Sequence, residues 1–241
     1  MKILSWNILA DIFASYKYYT YIDKSYLEVK NRYKLIIKWL KKINADVVGL
    51  QEITEPEMAI IKKKIGHIYY VVVGYHNKAH WRTKENISNG NAFLVKKTFG
   101  SVSNAINVKL SMNGNRALIV NVNNVIYSCL HLDADDTTLR LQQMTALLGY
   151  LHSEKHIENA SKYVILGDTN EPNNSIEKLV KEYNYTFNKT LPTNYEEYPM
   201  VIDYVFIKGF KSIKTKVKKT DKESILKDYG SDHTPVISYI E

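Results

Sequence analysis

The stretch that decides the fold is VILGDTNEP, residues 164–172. Its first three residues are apolar and predict a buried strand that ends at Gly167. Asp168 and Asn170 follow with one residue between them, and side chains spaced in this way along a strand face the same side. Because α/β sheets bind ligands at the carboxyl ends of their strands, this carboxylate and carboxamide predict a site there. A strand followed by an Asx-type turn is the alternative interpretation of the same residues.

The same pattern, an apolar run that ends in a carboxylate, an amide or an imidazole, recurs elsewhere in the chain. It is found at Trp6-Asn7, Gln51-Glu52, His131, Asp203 and Asp232-His233. One polar residue at the end of one strand is common in turns, whereas this recurrence favours a shared functional site.

The chain of 241 residues has no tract rich in Pro, Gly or Ser, no low-complexity block and no repeat, so we predict one domain, residues 1–241. An apolar content of 45% supports a sizeable core. The N-terminus runs directly into a predicted strand, and no segment approaches the roughly 18 apolar residues of a membrane helix. We therefore expect a soluble, intracellular protein with no membrane segment, and we expect a monomer. The single cysteine, Cys129, excludes a disulfide within the chain and argues against a cysteine metal site.

The formal charge of +8 favours a polyanionic partner, because neutralising phosphates releases counterions and drives binding without sequence preference. Many basic proteins carry such a charge only for solubility, so composition alone leaves the partner open. Residues 14–23 interleave tyrosines with lysine, a mixture that could stack bases and hold phosphates or could cover the edge of a helix. The basic segment 76–90 predicts a substrate contact through Trp81 and Arg82, with an irregular surface loop as the alternative.

The order of the predicted elements indicates an α/β fold. The strand, helix and strand of residues 2–52 are echoed by the strand, helix and strand of residues 125–168. Thr54 and Glu57 have the spacing of a capping box and predict a second helix that runs to about Ile65. Two packed mixed sheets with helices outside accommodate this order. Further elements are predicted at 68–75, 91–96, 101–108, 116–122, 176–183, 200–207 and, as an edge strand or loop, 211–222, with a hairpin turn at Asn123-Asn124.

Six motifs in this order resemble the endonuclease/exonuclease/phosphatase superfamily, also called DNase I-like, over essentially the whole chain. They are Trp6-Asn7, Gln51-Glu52, His131-Leu132, GlyAspThrAsn at 167–170, Ile202-Asp203-Tyr204 and SerAspHis at 231–233. The resemblance implies a four-layer α-β-β-α sandwich of two mixed β-sheets flanked by helices. It also implies a hydrolase that cleaves phosphate esters with Mg²⁺ or Mn²⁺.

The resemblance makes Glu52 the main metal ligand, with Asn7 and Asp232 beside it. The chemistry of these residues agrees, because Mg²⁺ and Mn²⁺ prefer carboxylate and amide oxygens. A zinc hydrolase is disfavoured, since the chain has neither a HisGluXaaXaaHis motif nor a second cysteine.

The remaining motif residues are implied to act on the phosphate and on the attacking water. Asp168 and Asn170 would orient or activate the water and hold the phosphate, and His131 and His233 would contact phosphate oxygens. Asp203 would hydrogen-bond to His233 and orient it, which favours the imidazolium form.

Four further residues are expected to contact the substrate. Asn91 begins a predicted strand, Arg140 follows the His131 motif, and Trp81 and Arg82 lie in the basic loop.

Two branches of the superfamily share features with this chain. SerTrpAsnIleLeuAlaAsp at 5–11 resembles the nocturnin and carbon-catabolite-repressor deadenylases. HisLeuAsp at 131–133 and Thr169 resemble the 5′-tyrosyl-DNA phosphodiesterases, although Thr234-Pro235 replaces the Trp common in that branch. We therefore predict a phosphodiesterase at RNA or DNA ends, either a deadenylase-like 3′ exonuclease or a 5′-tyrosyl-DNA phosphodiesterase. A hydrolase of phosphoinositides or small nucleotides, and a non-catalytic nucleic-acid-binding module, are the alternatives.

Overall fold

The computed structural model describes residues 1–76, 88–153, 160–195 and 198–241. Its strands are β1 Lys2–Asn7, β2 Val47–Ile53, β3 Tyr69–Tyr75, β4 Gly90–Lys96, β5 Val102–Lys109, β6 Arg116–Val122, β7 Val125–His131, β8 Lys162–Asp168, β9 Asp203–Lys208, β10 Ile213–Lys216 and β11 Val236–Ile240. Its helices are α1 Val29–Ile43, α2 Glu55–Ile65, α3 Thr137–His152, α4 Ser175–Glu182 and α5 Ile225–Tyr229, with a 3₁₀ turn at Lys24–Tyr26.

The strands form two mixed sheets. The first has six strands in the order β10-β11-β1-β2-β4-β3, and the second has five in the order β5-β6-β7-β8-β9. The two echoed units are both observed, because β1 pairs in parallel with β2 and β7 pairs in parallel with β8. The predicted α/β fold is therefore confirmed.

Three apolar clusters define the layers. One joins β1, β2 and β4 to helices α1 and α2, through residues such as Leu4, Ile36 and Ile61. A second joins the other sheet to α3 and α4, and a third fills the space between the sheets with residues that include Phe93 and Leu166. Helices thus cover the outer face of each sheet, in the predicted order α-β-β-α.

Two glycines mark places where backbones approach closely. A Cβ on Gly49 of β2 would collide with the Leu166 side chain of the facing sheet. Gly167, with φ of 149°, lies against the carbonyl of Leu130, and a Cβ there would collide with that backbone. The residue after Gly167 is Asp168, so this close approach fixes the position of the Asp168 backbone.

Several local predictions are also confirmed. Glu57 accepts hydrogen bonds from the Thr54 backbone N–H and hydroxyl at 2.9 and 2.6 Å, as the capping-box spacing predicts. Asn123 and Asn124 have φ of 53° and 60° and connect paired strands β6 and β7.

Some boundaries differ from those predicted. Helix α1 of the first predicted strand, helix and strand begins at Val29, after the 3₁₀ turn at Lys24–Tyr26. Strand β9 begins at Asp203 rather than Met200, because Met200 bridges back to Asn194. Helix α5 was not predicted.

Among the described residues, no helix combines the length and apolar character needed to cross a membrane.

Candidate active site

The ends of strands from both sheets meet at one edge of the molecule. In the second sheet His131, Asp168 and Asp203 occupy one row, since His131 pairs with Asp168 and Asp168 pairs with Asp203. In the first sheet Asn7 ends β1 beside Gln51 of β2, one residue before Glu52. The carboxyl ends of both parallel pairs therefore deliver polar side chains to the same place, as expected for α/β folds.

Asp168 lies at the centre of this arrangement and is 1% exposed. Its Oδ2 accepts a hydrogen bond from Asn7 Nδ2 at 3.0 Å and lies 3.7 Å from Nε2 of both His131 and His233. Its Oδ1 accepts from the Asn170 backbone N–H at 2.8 Å. One carboxylate thus contacts groups from both sheets.

A bulge in the β2 backbone sets the direction of the Glu52 side chain. The pairing of β2 with β4 shifts register between Leu50 and Ile53, and Glu52 within that bulge has φ of 59°. A left-handed conformation is unfavourable for a residue with a long side chain and is found at functional sites. Bulges of this kind redirect a side chain out of the strand pattern.

The Glu52 carboxylate accepts hydrogen bonds from Asn7 Nδ2 at 2.9 Å and from the Ala10 backbone N–H at 3.0 Å. Burial raises the pKa of Glu52; the charge of His131 opposes this increase, and that of Asp232 adds to it. Within the part of the chain that the structure describes, no Lys, Arg or His side chain forms an ion pair with Glu52. Among those residues the Glu52 carboxylate therefore feels the charge of His131 without forming an ion pair.

Asp232 completes the acidic side of the site. Its Oδ2 accepts a hydrogen bond from the Tyr19 hydroxyl at 2.8 Å. The preceding residue, Ser231, donates from its hydroxyl to the Asn7 carbonyl at 2.7 Å and accepts from the His233 backbone N–H at 3.1 Å. The Ser231 side chain therefore couples the 231–233 motif to the end of β1.

His233 is held at both ring nitrogens. Nδ1 lies 2.8 Å from Asp203 Oδ2, and Nε2 lies 3.0 Å from the side-chain amide of Asn194. Burial alone would lower the pKa of His233, but the charges of Asp203 and Asp168 outweigh it and hold that pKa well above its ordinary value. The contact with Asp203 therefore favours the imidazolium form of His233, as the predicted pairing implies.

The described residues fit a hard divalent cation. Glu52, Asn7 and Asp232 offer carboxylate and amide oxygens, which Mg²⁺ and Mn²⁺ prefer, around a carboxylate that lacks a cationic partner. A second group, Asp168, Asp203 and His233, has ligand atoms within 4.8 Å of one another. We favour the first set, because Nδ1 of His233 is occupied by Asp203 and an imidazolium does not bind metal.

Of the four predicted substrate contacts, the structure describes two, Arg140 and Asn91. Arg140 is 6% exposed and donates to Glu171, to the carbonyls of Asp133 and Ala134, and to Thr137, so its guanidinium braces the loop after β7. Trp81 and Arg82 lie outside the described residues.

Asn91 is fully buried on β4 and donates to the Arg116 carbonyl at 2.9 Å. Its role in substrate binding stays a prediction, as does that of Arg140.

Three residues that support the site were not assigned from the sequence. Arg32 is fully buried and donates to the carbonyls of Ile8, Leu9 and Gly230, which flank Asn7 and Asp232. Its place on the apolar face of α1 was a signal, because a buried Arg requires partners. Tyr19 and Asn194 lie in irregular segments, where no periodic pattern reveals which side chain turns inward.

The two packed mixed sheets, with helices outside and this cluster at one edge, define an α/β sandwich of the DNase I-like class of hydrolases. The chain belongs to the Endonuclease/Exonuclease/phosphatase family, whose model matches residues 4–233. Members of this family act on phosphodiester or phosphate bonds. No curated protein matches the sequence.

Solved structures confirm the fold at low sequence identity. ANGEL2, described as a 2′,3′-cyclic phosphatase, superposes with a TM-score of 0.81 and 16% identity, covering 98% of this chain and 93% of that one. The human nocturnin catalytic domain with bound sulfate gives 0.74 and 16%, covering 100% and 93%. TDP2 from C. elegans gives 0.70 and 18%, covering 99% and 74%.

Proposed function

We propose that this protein is a divalent-metal-dependent phosphodiesterase that hydrolyses bonds at nucleic-acid ends. The observation that carries the proposal is the buried Asp168 carboxylate, held by the Asn7 amide and flanked by two imidazoles from different elements. A carboxylate in that position accepts the proton of an attacking water, while imidazole N–H groups stabilise the phosphate oxygens.

The residues divide this chemistry between them. The water oxygen forms a bond to phosphorus, the bond from phosphorus to the leaving oxygen breaks, and Asp168 takes the proton released by the water. His131 and His233 donate hydrogen bonds to phosphate oxygens as negative charge accumulates there. Asp203 keeps the His233 ring oriented and charged through its contact at 2.8 Å.

Glu52, Asn7 and Asp232 would hold Mg²⁺ or Mn²⁺ in this proposal. A bound divalent cation supplies additional neutralisation of phosphate charge and orients the substrate. The Glu52 carboxylate supports this assignment, because it is partly exposed at the site, is held by neutral N–H groups and has no ion-pair partner among the described residues, which suits a cation ligand.

Nucleic acid is supported as the substrate by the formal charge of +8. The sequence argument for the 5′-tyrosyl-DNA phosphodiesterase branch rests partly on Thr169, and the surroundings of this residue weaken it. Thr169 is fully buried, and its hydroxyl donates to the Ile202 carbonyl at 2.8 Å. Its identity therefore reflects packing between the ends of β8 and β9 rather than a contact with substrate, and both branches stay open.

A panel of labelled substrates tests the proposal. We would incubate the protein with single-stranded poly(A) RNA, DNA carrying a 5′-phosphotyrosine, RNA ending in a 2′,3′-cyclic phosphate, and a phosphoinositide, each with Mg²⁺ and with EDTA. Stepwise shortening of poly(A) indicates a deadenylase-like exonuclease, and release of tyrosine indicates the other branch. Hydrolysis of the phosphoinositide alone would contradict the nucleic-acid assignment, and hydrolysis in EDTA would contradict the metal dependence.

The Asp168→Asn protein is the matched control for contaminating nucleases. It removes the carboxylate charge at the centre of the site, and its amide preserves the size of the side chain. Equal activity of the variant and the wild type would mean that the observed hydrolysis does not arise at this site.

A further inference from the structure

Exposed tyrosines are concentrated in one segment beside the candidate active site. Tyr16, Tyr18 and Tyr26 are 42%, 59% and 37% exposed. They account for half of the exposed tyrosines among the described residues, although the segment that contains them is short. This concentration calls for an explanation other than chance exposure.

A lysine lies over each of these rings. The Nζ atoms of Lys24, Lys17 and Lys227 are 4.6, 5.8 and 5.9 Å from the ring centroids of Tyr16, Tyr18 and Tyr26, respectively. A cation over an aromatic ring restrains that ring. The three rings are therefore held in place while much of their surface stays open to solvent.

This tyrosine segment, residues 16–26, is joined to the active site along two paths. Tyr19, next to Tyr18, donates its hydroxyl to Asp232 at 2.8 Å. Lys227 belongs to helix α5, and that helix ends at Tyr229, three residues before Asp232. Because neighbouring Cα atoms are about 3.8 Å apart, the Tyr19 hydrogen bond brings the Tyr18 backbone close to Asp232, and the Lys227 contact links the Tyr26 ring to the helix that leads into Asp232.

The charges around the segment favour stacking of bases on the tyrosine rings over binding along the phosphate backbone. Asp23 and Asp221 lie among these lysines, and each carboxylate accepts hydrogen bonds from its own turn, at Ser25 and Ser224. The segment therefore has both signs of charge and is not a purely basic groove. Flat aromatic faces bind unpaired bases of any sequence, whereas the bases of a duplex are hidden from such rings.

Resting on the phosphodiesterase function proposed above, we propose that Tyr16, Tyr18 and Tyr26 form a platform that stacks unpaired bases. The occupant is the single-stranded portion of a nucleic acid whose scissile phosphate lies at Asp168. The platform makes the enzyme selective for single strands over duplex ends and over short substrates.

The test compares substrates that reach the platform with one that does not. Rates would be measured for Tyr16→Ala, Tyr18→Ala and Tyr26→Ala on a single-stranded oligonucleotide of about 10 nucleotides, on a dinucleotide, and on bis-p-nitrophenyl phosphate. Tyr70→Ala is the matched control, since Tyr70 is 44% exposed with Lys97 5.5 Å from its ring centroid but lies near the far end of the first sheet.

We expect each platform variant to lower kcat/KM on the oligonucleotide by about 5- to 100-fold, mainly through KM, because a stacked base contributes roughly that much binding. The dinucleotide, bis-p-nitrophenyl phosphate and Tyr70→Ala should be nearly unaffected. Unchanged kcat/KM on the oligonucleotide, or an equal loss on bis-p-nitrophenyl phosphate, would overturn the platform.

Direct binding separates failure of the platform from failure of the proposed function. Fluorescence anisotropy of the same oligonucleotide with the Asp168→Asn protein reports binding without turnover. The wild-type protein could prove inactive while the tyrosine variants still bind the single strand more weakly. That outcome would contradict the proposed phosphodiesterase function and would support the platform. Equal affinity for single strand and duplex would overturn the platform whether or not the protein is active.

Discussion

Glu52 of the first sheet and Asp203 of the second are carboxylates at the same edge of the molecule, but their surroundings differ. Asp203 faces His233 at 2.8 Å, and this ion pair neutralises both charges within the protein. Glu52 accepts hydrogen bonds from the neutral N–H groups of Asn7 and Ala10 and has no ion-pair partner among the described residues. Burial raises the pKa of both carboxylates, so the ion pair is what separates them. The second sheet therefore carries a carboxylate whose ion-pair partner is a histidine of the protein, whereas the first sheet carries a carboxylate suited to binding a cation.

The largest effect on activity is expected for Glu52→Gln. If Glu52 is the metal ligand proposed above, its loss should lower kcat/KM by about 10³-fold or more, since a bound metal provides several kcal/mol of transition-state stabilisation. A raised folded pKa means that the charged carboxylate opposes folding at neutral pH, so the Tm of the variant in EDTA should equal or exceed that of the wild type.

Activity assays and thermal unfolding in EDTA and in Mg²⁺ check this prediction. Mg²⁺ should raise the Tm of the wild type and leave that of Glu52→Gln nearly unchanged. An equal Mg²⁺-induced shift in both proteins would remove Glu52 from the metal site.

Asp203→Asn should lower the stability of the protein as well as its activity. It leaves the buried His233 without its charged partner, and breaking such a pair costs about 3–5 kcal/mol of stability. We expect kcat to fall by about 10²- to 10³-fold, because the imidazole loses its orientation and charge. Urea unfolding and steady-state kinetics measure the two effects, and a variant as stable as the wild type would show that the pair is not formed.

The raised pKa of His233 predicts a dependence on pH with a definite sign. The imidazolium contributes stability that is fully present below the pKa of an unfolded histidine, about 6.5. That contribution is lost as pH rises through the higher folded pKa. The difference in unfolding free energy between wild type and Asp203→Asn should therefore be larger at about pH 6 than at about pH 9, and a difference that grows with pH would reverse the assignment.

The smallest expected effect is that of Tyr19→Phe, which removes one hydrogen bond to Asp232. This hydrogen bond orients the Asp232 carboxylate, and loss of such a partner of a metal ligand weakens metal affinity by roughly 10- to 100-fold. Titration of activity against Mg²⁺ measures the change. Saturating Mg²⁺ should restore much of kcat, and a kcat that stays low at saturation would indicate a direct role for Tyr19 in the reaction.

The fold and the main site residues could be predicted because each strand end is visible locally. At Asp168 and His131 an apolar run stops at a polar side chain, and the parallel pairing of β7 with β8 then brings these two residues together. The orientation of Glu52 could not be predicted, because a register shift and a positive φ appear only once β2 pairs with β4.

Contacts between residues that are distant in the sequence could not be predicted either. Asn194 reaches His233 across 39 positions, and Arg140 reaches Glu171 across 31, so neither contact leaves a local pattern. Helix α5 has five residues, which is too short to show the periodicity of an amphipathic helix.

The central claim is that Glu52 and Asp168, from opposite sheets, serve one metal-dependent hydrolytic site. Its most direct test is the rate of bis-p-nitrophenyl phosphate hydrolysis, measured against Mg²⁺ concentration for the wild type, Glu52→Gln, Asp168→Asn and the double variant. Fast Mg²⁺-dependent turnover is expected only of the wild type, with a large but measurable loss in each single variant and a double variant no slower than the slower single variant, because the two residues act as a unit. Turnover by the wild type in EDTA, or a double variant whose loss equals the product of the two single losses, would contradict it.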